Sequence, residues 1–122
     1  MEKYTEKRQF MRLNILTDVE YTKKIPSEGS TLSLSKNIGE GGICLIVYED
    51  LQVADLLDLK IYLPEDSAPI RATGKVAWLK EFVVGEPSKG KRFDAGIEFI
   101  SINQEDRNRI ERCVFIHTLV NK

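Results

Sequence analysis

Lys36-Asn37-Ile38-Gly39-Glu40-Gly41-Gly42 runs without a break into Ile43-Cys44-Leu45-Ile46-Val47-Tyr48, and the residues after the glycines decide the fold. A glycine motif that cradles phosphate in a P-loop or dinucleotide-binding unit needs a helix after it, whose dipole points at the anion. Here the next residues are strongly β-prone, with Ile43, Leu45 and Val47 spaced two apart. The glycines therefore join two strands. Such a turn still has a use, because glycines let backbone N–H groups approach a ligand closely and Asn37 adds a side-chain amide.

Working outward, the same period of two recurs. Leu13, Ile15, Val19 and Tyr21 alternate with Asn14, Asp18 and Glu20, with Leu16 as the one misfit, and the turn Pro26-Ser27-Glu28-Gly29-Ser30 comes next. Leu32 and Leu34 alternate with Ser33 and Ser35 into the glycine segment. Leu57, Leu59, Ile61 and Leu63 give the cleanest alternation in the chain. A further strand runs from Ile70 through Trp78 towards Phe82, and another carries Phe93, Ala95, Ile97 and Phe99. In both, Trp78 and Phe93 fall in phase with the inward residues, which predicts core packing for them. Asn103 with Asp106 three residues on predicts a helix cap, and Ile110, Cys113, Val114, His117 and Leu119 recur at helical spacing. Six short strands followed by one helix predict an all-β fold with a C-terminal helix, a small six-stranded antiparallel β-barrel flanked by that helix. Residues 1–7 read as a flexible tail and residues 8–122 as one domain, with the barrel over about 12–100 and the helix over about 103–120.

Arg8 and Arg12 stand at the end of that tail. In an extended segment residues four apart point the same way about 13 Å from each other, which suits a ligand larger than one phosphate. Guanidinium groups bind phosphate oxygens bidentately and stack on purine faces. Beside a glycine turn, the pair points to an anionic nucleotide. The net charge of −1 removes the broad basic footprint that duplex DNA or an acidic membrane requires, so anion binding has to be local. No apolar run reaches the roughly 18 residues that span a bilayer, and the charged start lacks the apolar stretch of a signal peptide, so we expect a cytoplasmic protein without membrane insertion. The two cysteines, Cys44 and Cys113, show no metal-ligand spacing and read as reduced buried thiols. His117 is the single histidine and sits on the apolar helical stripe. With no nucleophile–base arrangement and no metal cluster, no catalytic residue and no metal ligand is assigned. Arg107, Arg109 and Arg112, interspersed with Glu105, Asp106 and Glu111, read as a solvated helical face.

Lys7-Arg8-Gln9-Phe10-Met11-Arg12 and Asn37-Ile38-Gly39-Glu40-Gly41-Gly42 resemble, in that order, the RRxxxR and (D/N)xSxxG signatures of PilZ domains. Gly74-Lys75-Val76-Ala77-Trp78 and Gly96-Ile97-Glu98-Phe99 look like the GxVxW and GIxF strands of the same family. The likeness runs from about Lys7 to the end of the chain. It implies a six-stranded barrel that acts as a bacterial receptor for cyclic di-GMP, with the arginine motif in a flexible segment ahead of the first strand. By position, Arg8 and Arg12 are the implied holders of phosphate and guanine, Asn37 reads a guanine edge, and Gly42 closes against a base; independently of the resemblance, Gly39, Gly41 and Gly42 offer backbone N–H groups that a ligand can approach closely. Two positions depart from the pattern. Lys7 replaces the first arginine, keeping its charge without the planar fork. Gly39 replaces the serine, removing a hydroxyl whose hydrogen bond to a charged group is worth about 1.5–3 kcal/mol.

The resemblance thus implies cyclic di-GMP as ligand, no cofactor, and an effector protein as partner, the arginine segment ordering when ligand binds. Two other readings stand beside it. One is a degenerate PilZ-like adaptor that binds no nucleotide and acts through protein contacts. The other is a small barrel for single-stranded nucleic acid, which the charge and the in-phase aromatics disfavour.

Overall fold

A computed structural model of the chain describes residues 12–24, 29–64, 67–83 and 91–120. Lys7, Arg8 and the expected tail over residues 1–7 lie outside the described residues. Seven strands and a helix succeed one another in order: β1 (Arg12–Leu13), β2 (Thr17–Lys23), β3 (Thr31–Gly39), β4 (Gly42–Val47), β5 (Leu56–Tyr62), β6 (Ile70–Val83), β7 (Lys91–Ile102) and α1 (Gln104–Val120). The antiparallel neighbours run β3-β2-β5-β6-β7-β4, and β4 returns to pair with β3. That closure makes the six-stranded barrel. The short β1 is an addition, pairing Arg12 with Gly39 and Leu13 with Ile38 at the far end of β3.

Period-two patterning explains the interior. Val19, Ile61, Leu57, Ile70, Leu45 and Val76 are fully buried, each from the face that the alternation assigns. Burying a side chain of this size stabilises the fold by about 1.5–3 kcal/mol. Ile110, Cys113 and Val114 of α1 join the same core, so the helix is packed onto the barrel. Its start is the expected one: Asp106 N–H donates to Asn103 Oδ1 at 2.7 Å. Both cysteines are buried and neither is in a disulfide. His117 is partly buried, its Nδ1 2.9 Å from the Cys113 carbonyl one turn earlier.

In the first three strands, two features differ from the alternation. Leu16 is 64% exposed between Leu13 and Thr17, so the first expected strand is interrupted there, β1 and β2 being its two parts. In β3 the leucines face outward, Leu32 at 79% and Leu34 at 41% exposure, while Ser35 is fully buried. The serines are tolerated inside because they are hydrogen-bonded: Ser35 Oγ lies 2.6 Å from Thr17 Oγ1, and the Ser33 hydroxyl donates to the Ile46 carbonyl. A register shift between Ser35 and Asn37 then inserts Lys36 as an extra residue. Beyond it Ile38 is back in the core, fully buried.

Candidate functional site

The bulge at Lys36 turns the last residues of β3 towards one end of the barrel, where β1 delivers Arg12. The Arg12 guanidinium donates twice to Asn37 Oδ1, from Nε at 2.9 Å and from Nη2 at 2.6 Å. A charged fork on an amide oxygen fixes the amide, leaving its NH2 end with a defined direction. Glu40 and Gly41 make the turn into β4, and that turn is held from behind. The Gly41 carbonyl accepts from Phe99 N–H of β7 at 3.0 Å. Across the helix interface, Arg107 Nη1 donates to the Glu40 carbonyl at 3.0 Å. The Arg109–Asp106 contact at 3.0 Å is the ordinary helical pair expected of that face, but the face is not only solvated: Arg107 anchors the turn, and Arg109 also bonds the Ala68 carbonyl. Burial and the neighbouring Glu111 hold the Glu40 carboxyl above its ordinary range, with Arg107 pulling the other way.

Gly42 has a structural reason to be glycine. A Cβ there would stand 2.3 Å from the Ile97 carbonyl oxygen, so a side chain at this position would push β4 off β7.

Trp78 is the largest correction to the sequence reading. A second register shift, between Val76 and Trp78, inserts Ala77 and rotates the indole out of the core. Trp78 is 47% exposed, and its ring lies on Gly96, where a Cβ would come within 2.2 Å of Trp78 Cε2 and Nε1. Gly96 is the cross-strand partner of Trp78 on one side and of Cys44 on the other. The two strand motifs of the sequence are thus one unit, with Gly74 opposite Phe99, Val76 opposite Ile97 and Trp78 opposite Gly96. On its other side the backbone of Val76 is tied to the loop before β5, accepting from Ala54 N–H at 2.7 Å and donating to the Asp55 carbonyl at 2.9 Å.

Between the turn and the indole lies a cleft of about 740 Å³, whose lining includes Arg12, Asn37, Gly39, Gly41, Gly42, Trp78 and Gly96. Lys36 and Asp94 stand at its side. Asp94 is only 4% exposed and bonds Lys36 Nζ at 2.7 Å and Arg92 Nη2 at 3.1 Å. Burial alone would raise its pKa, but the hydrogen bonds and charges of Lys36 and Arg92 outweigh that and hold the carboxyl below its ordinary value. Lys36, Lys80 and Arg92 also gather over the Phe82 ring at 6.0, 5.3 and 5.2 Å, and Glu98 joins Asp94 among the carboxylates that line the cleft. A second depression of about 740 Å³ lies over β2, β5 and β6, but no aromatic face and no glycine turn lines it. Chemistry favours the first.

Five of the seven residues assigned from the sequence, Arg12, Asn37, Gly39, Gly41 and Gly42, are brought together on this cleft. The other two, Lys7 and Arg8, lie outside the described residues. Sequence reasoning missed Trp78, Gly96, Lys36 and Arg107. Among the described residues no group of three His, Cys, Asp or Glu side chains is placed to hold a metal, and no helix is long and apolar enough to cross a membrane.

The PilZ domain family model matches residues 6–115. No curated protein matches the chain in sequence. Among solved structures, the inhibitor of motility MotI/DgrA of Bacillus subtilis superposes with a TM-score of 0.73 at 27% identity, covering 98% of this chain and 55% of MotI. The K. pneumonia MrkH–c-di-GMP complex gives a TM-score of 0.75 at 18% identity, covering 96% of this chain and 55% of MrkH. The PilZ domain of YcgR from Escherichia coli, with c-di-GMP, gives 0.70 at 11% identity and covers 90% of each chain. The chain spans about half the length of MotI and of MrkH. The family match over most of the sequence, on a closed barrel with the arginine–asparagine pair at its end, shows that this chain belongs to the PilZ domain family.

Proposed function

We propose that this chain is a receptor for cyclic di-GMP and not an enzyme, and that the ligand occupies the cleft between the glycine turn and Trp78. The observation that carries the reading is the Arg12 fork on Asn37, set at the edge of a cleft whose other side is an indole face. A guanine can stack on that indole while Asn37 offers its amide to the base edge and Arg12 its charge to a phosphate. Arg8 and Lys7 precede β1 and belong to the segment that closes over the ligand, which orders on binding and alters the surface offered to an effector protein. A ligand shifts that equilibrium only by its differential affinity for the ordered state, so Arg8 must touch it directly. With Gly39 in place of a hydroxyl donor, affinity falls by about 1.5–3 kcal/mol, roughly ten- to a hundredfold. Titration calorimetry with cyclic di-GMP tests the proposal. Heat with the wild type and a clear loss of affinity in Arg8→Ala are expected; no heat with the wild type, or equal affinity in the variant, would sink it.

Lys7 and Gly39 favour one competing reading, an adaptor of PilZ fold that works through protein contacts without nucleotide. It predicts no thermal shift with cyclic di-GMP and a gain of binding in Gly39→Ser.

A further inference from the structure

The cleft holds one carboxylate that the cyclic di-GMP reading leaves without a task. Two rows of cross-strand partners cross its floor. One runs Asn37, Cys44, Gly96, Trp78 over β3, β4, β7 and β6. The next runs Gly42, Glu98, Lys75 over β4, β7 and β6. Cross-strand partners point to the same side of a sheet, and so do residues two apart in one strand. Glu98 therefore shares the outer face with Gly96, on which the indole lies, about 7 Å further along β7. It is exposed and lines the cleft. Among the described residues, no hydrogen bond or ion pair engages its carboxylate. A negative group beside a phosphodiester ligand is unfavourable unless it accepts hydrogen bonds from that ligand.

Guanine shows acceptors at O6 and N7 and donors at N1–H and the 2-amino group. Asn37 can serve only the acceptors. Its Oδ1 already accepts from both Nε and Nη2 of Arg12, which leaves the NH2 to donate. Arg12, Lys36 and the backbone N–H groups of the glycine turn are donors as well. The guanine donors need an acceptor, and the cleft lining offers two carboxylates, Asp94 and Glu98. Asp94 is buried, with one oxygen on Lys36 and the other on Arg92. Glu98 remains.

We propose, resting on the reading of this cleft as a cyclic di-GMP site, that Glu98 is the residue that selects the base. Its two oxygens accept from N1–H and the 2-amino group of a guanine at the indole, while the Asn37 amide donates to O6 or N7. Asn37 and Glu98 stand on β3 and β7, on either side of β4, so a base lying between them meets both. Adenine presents a lone pair at N1 and no amino group at C2, so the carboxylate would lose both hydrogen bonds and face an acceptor. One side chain thus favours guanine and rejects adenine.

Titration calorimetry on the full chain with cyclic di-GMP, cyclic di-IMP and cyclic di-AMP tests this. Cyclic di-IMP keeps the phosphates, O6, N7 and N1–H and lacks only the 2-amino groups. The wild type should bind it about tenfold or more weakly than cyclic di-GMP, the effect of losing a hydrogen bond to a charged acceptor, and cyclic di-AMP more weakly still. In Glu98→Ala, affinity for cyclic di-GMP should fall about tenfold or more, and the ratio of the two affinities, cyclic di-GMP over cyclic di-IMP, should shrink by a similar factor. Lys75→Ala should leave that ratio at its wild-type value. The same ratio in the wild type and in Glu98→Ala overturns the assignment while leaving the receptor reading intact. So does a wild type that binds cyclic di-IMP as tightly as cyclic di-GMP, or a Lys75→Ala chain that matches Glu98→Ala, since Glu98 is then a solvated partner of Lys75. No heat with cyclic di-GMP in the wild type sinks the receptor reading itself, and the assignment with it.

Discussion

Strands β2 and β5 pair in continuous register from Asp18 opposite Tyr62 to Lys23 opposite Leu57, whereas β3 and β6 both lose register as they approach the cleft. The regular wall holds side chains in the two-faced pattern that builds a core. At the rim, each inserted residue rotates its successor to another face: after Lys36 comes Asn37, and after Ala77 comes Trp78. Those two bulges place the amide and the indole on the cleft. Regular pairing supplies stability here and these two interruptions supply the site, while a third, between Thr73 and Gly74, leaves Ile100 as an extra residue of β7 outside the cleft lining.

Substitutions that strike one region and spare the other test this division. The largest effect is expected from Ile61→Ala in the regular wall, which opens a cavity in the core and costs about 2–5 kcal/mol in denaturant unfolding, with ligand affinity of the folded fraction unchanged. A parallel drop in affinity would break the division. Next comes Trp78→Ala at the rim, where loss of a stacked base weakens binding by about 1–3 kcal/mol in calorimetry. Its unfolding free energy should fall by less than that of Ile61→Ala, because the ring is already half in solvent. Arg107→Ala removes the hydrogen bond that holds the Glu40 carbonyl from the helix; affinity should fall about three- to tenfold, matching a net hydrogen bond of roughly 0.5–1.5 kcal/mol. Equal affinity would mean that the turn keeps its shape through Phe99 alone.

The smallest expected effect is a pH dependence at the cleft's side. Asp94 has its folded pKa lowered from 3.8, so its contribution to stability is present above that value and is lost as pH falls through the folded pKa. Urea unfolding at about pH 5 and at about pH 2.5 should show a larger acid loss in the wild type than in Asp94→Asn. Identical losses would place the acid sensitivity elsewhere.

How much of this was legible depended on the same division. In β5 the alternation of Leu57, Leu59 and Ile61 with Asp58 and Lys60 named both the strand and its buried face correctly. The hairpin at Gly39–Gly42, the closed barrel, the helix cap at Asn103 and the grouping of Arg12 with Asn37 were equally readable, because each rests on local chemistry or on motif order. Trp78 was not, since a bulge adds one residue without changing composition, and strict alternation carried past Ala77 assigns the wrong face. For β3 the period gave two faces but not which is inside; Ser35 is buried because Thr17 on a neighbouring strand supplies its hydroxyl partner. Arg107 escaped for a similar reason. Its acceptor is a backbone carbonyl 67 residues away in sequence, and no helical pattern announces it.

Trp78 is the chain's one tryptophan, so emission excited at wavelengths where the four tyrosines do not absorb reports on the cleft alone. Titrating cyclic di-GMP into the wild-type protein while monitoring that emission tests the central claim most directly. A saturable change in intensity or wavelength, at the concentration where calorimetry shows heat, is the predicted result. Emission that stays constant up to saturating nucleotide would contradict the placement of the ligand between the glycine turn and the indole.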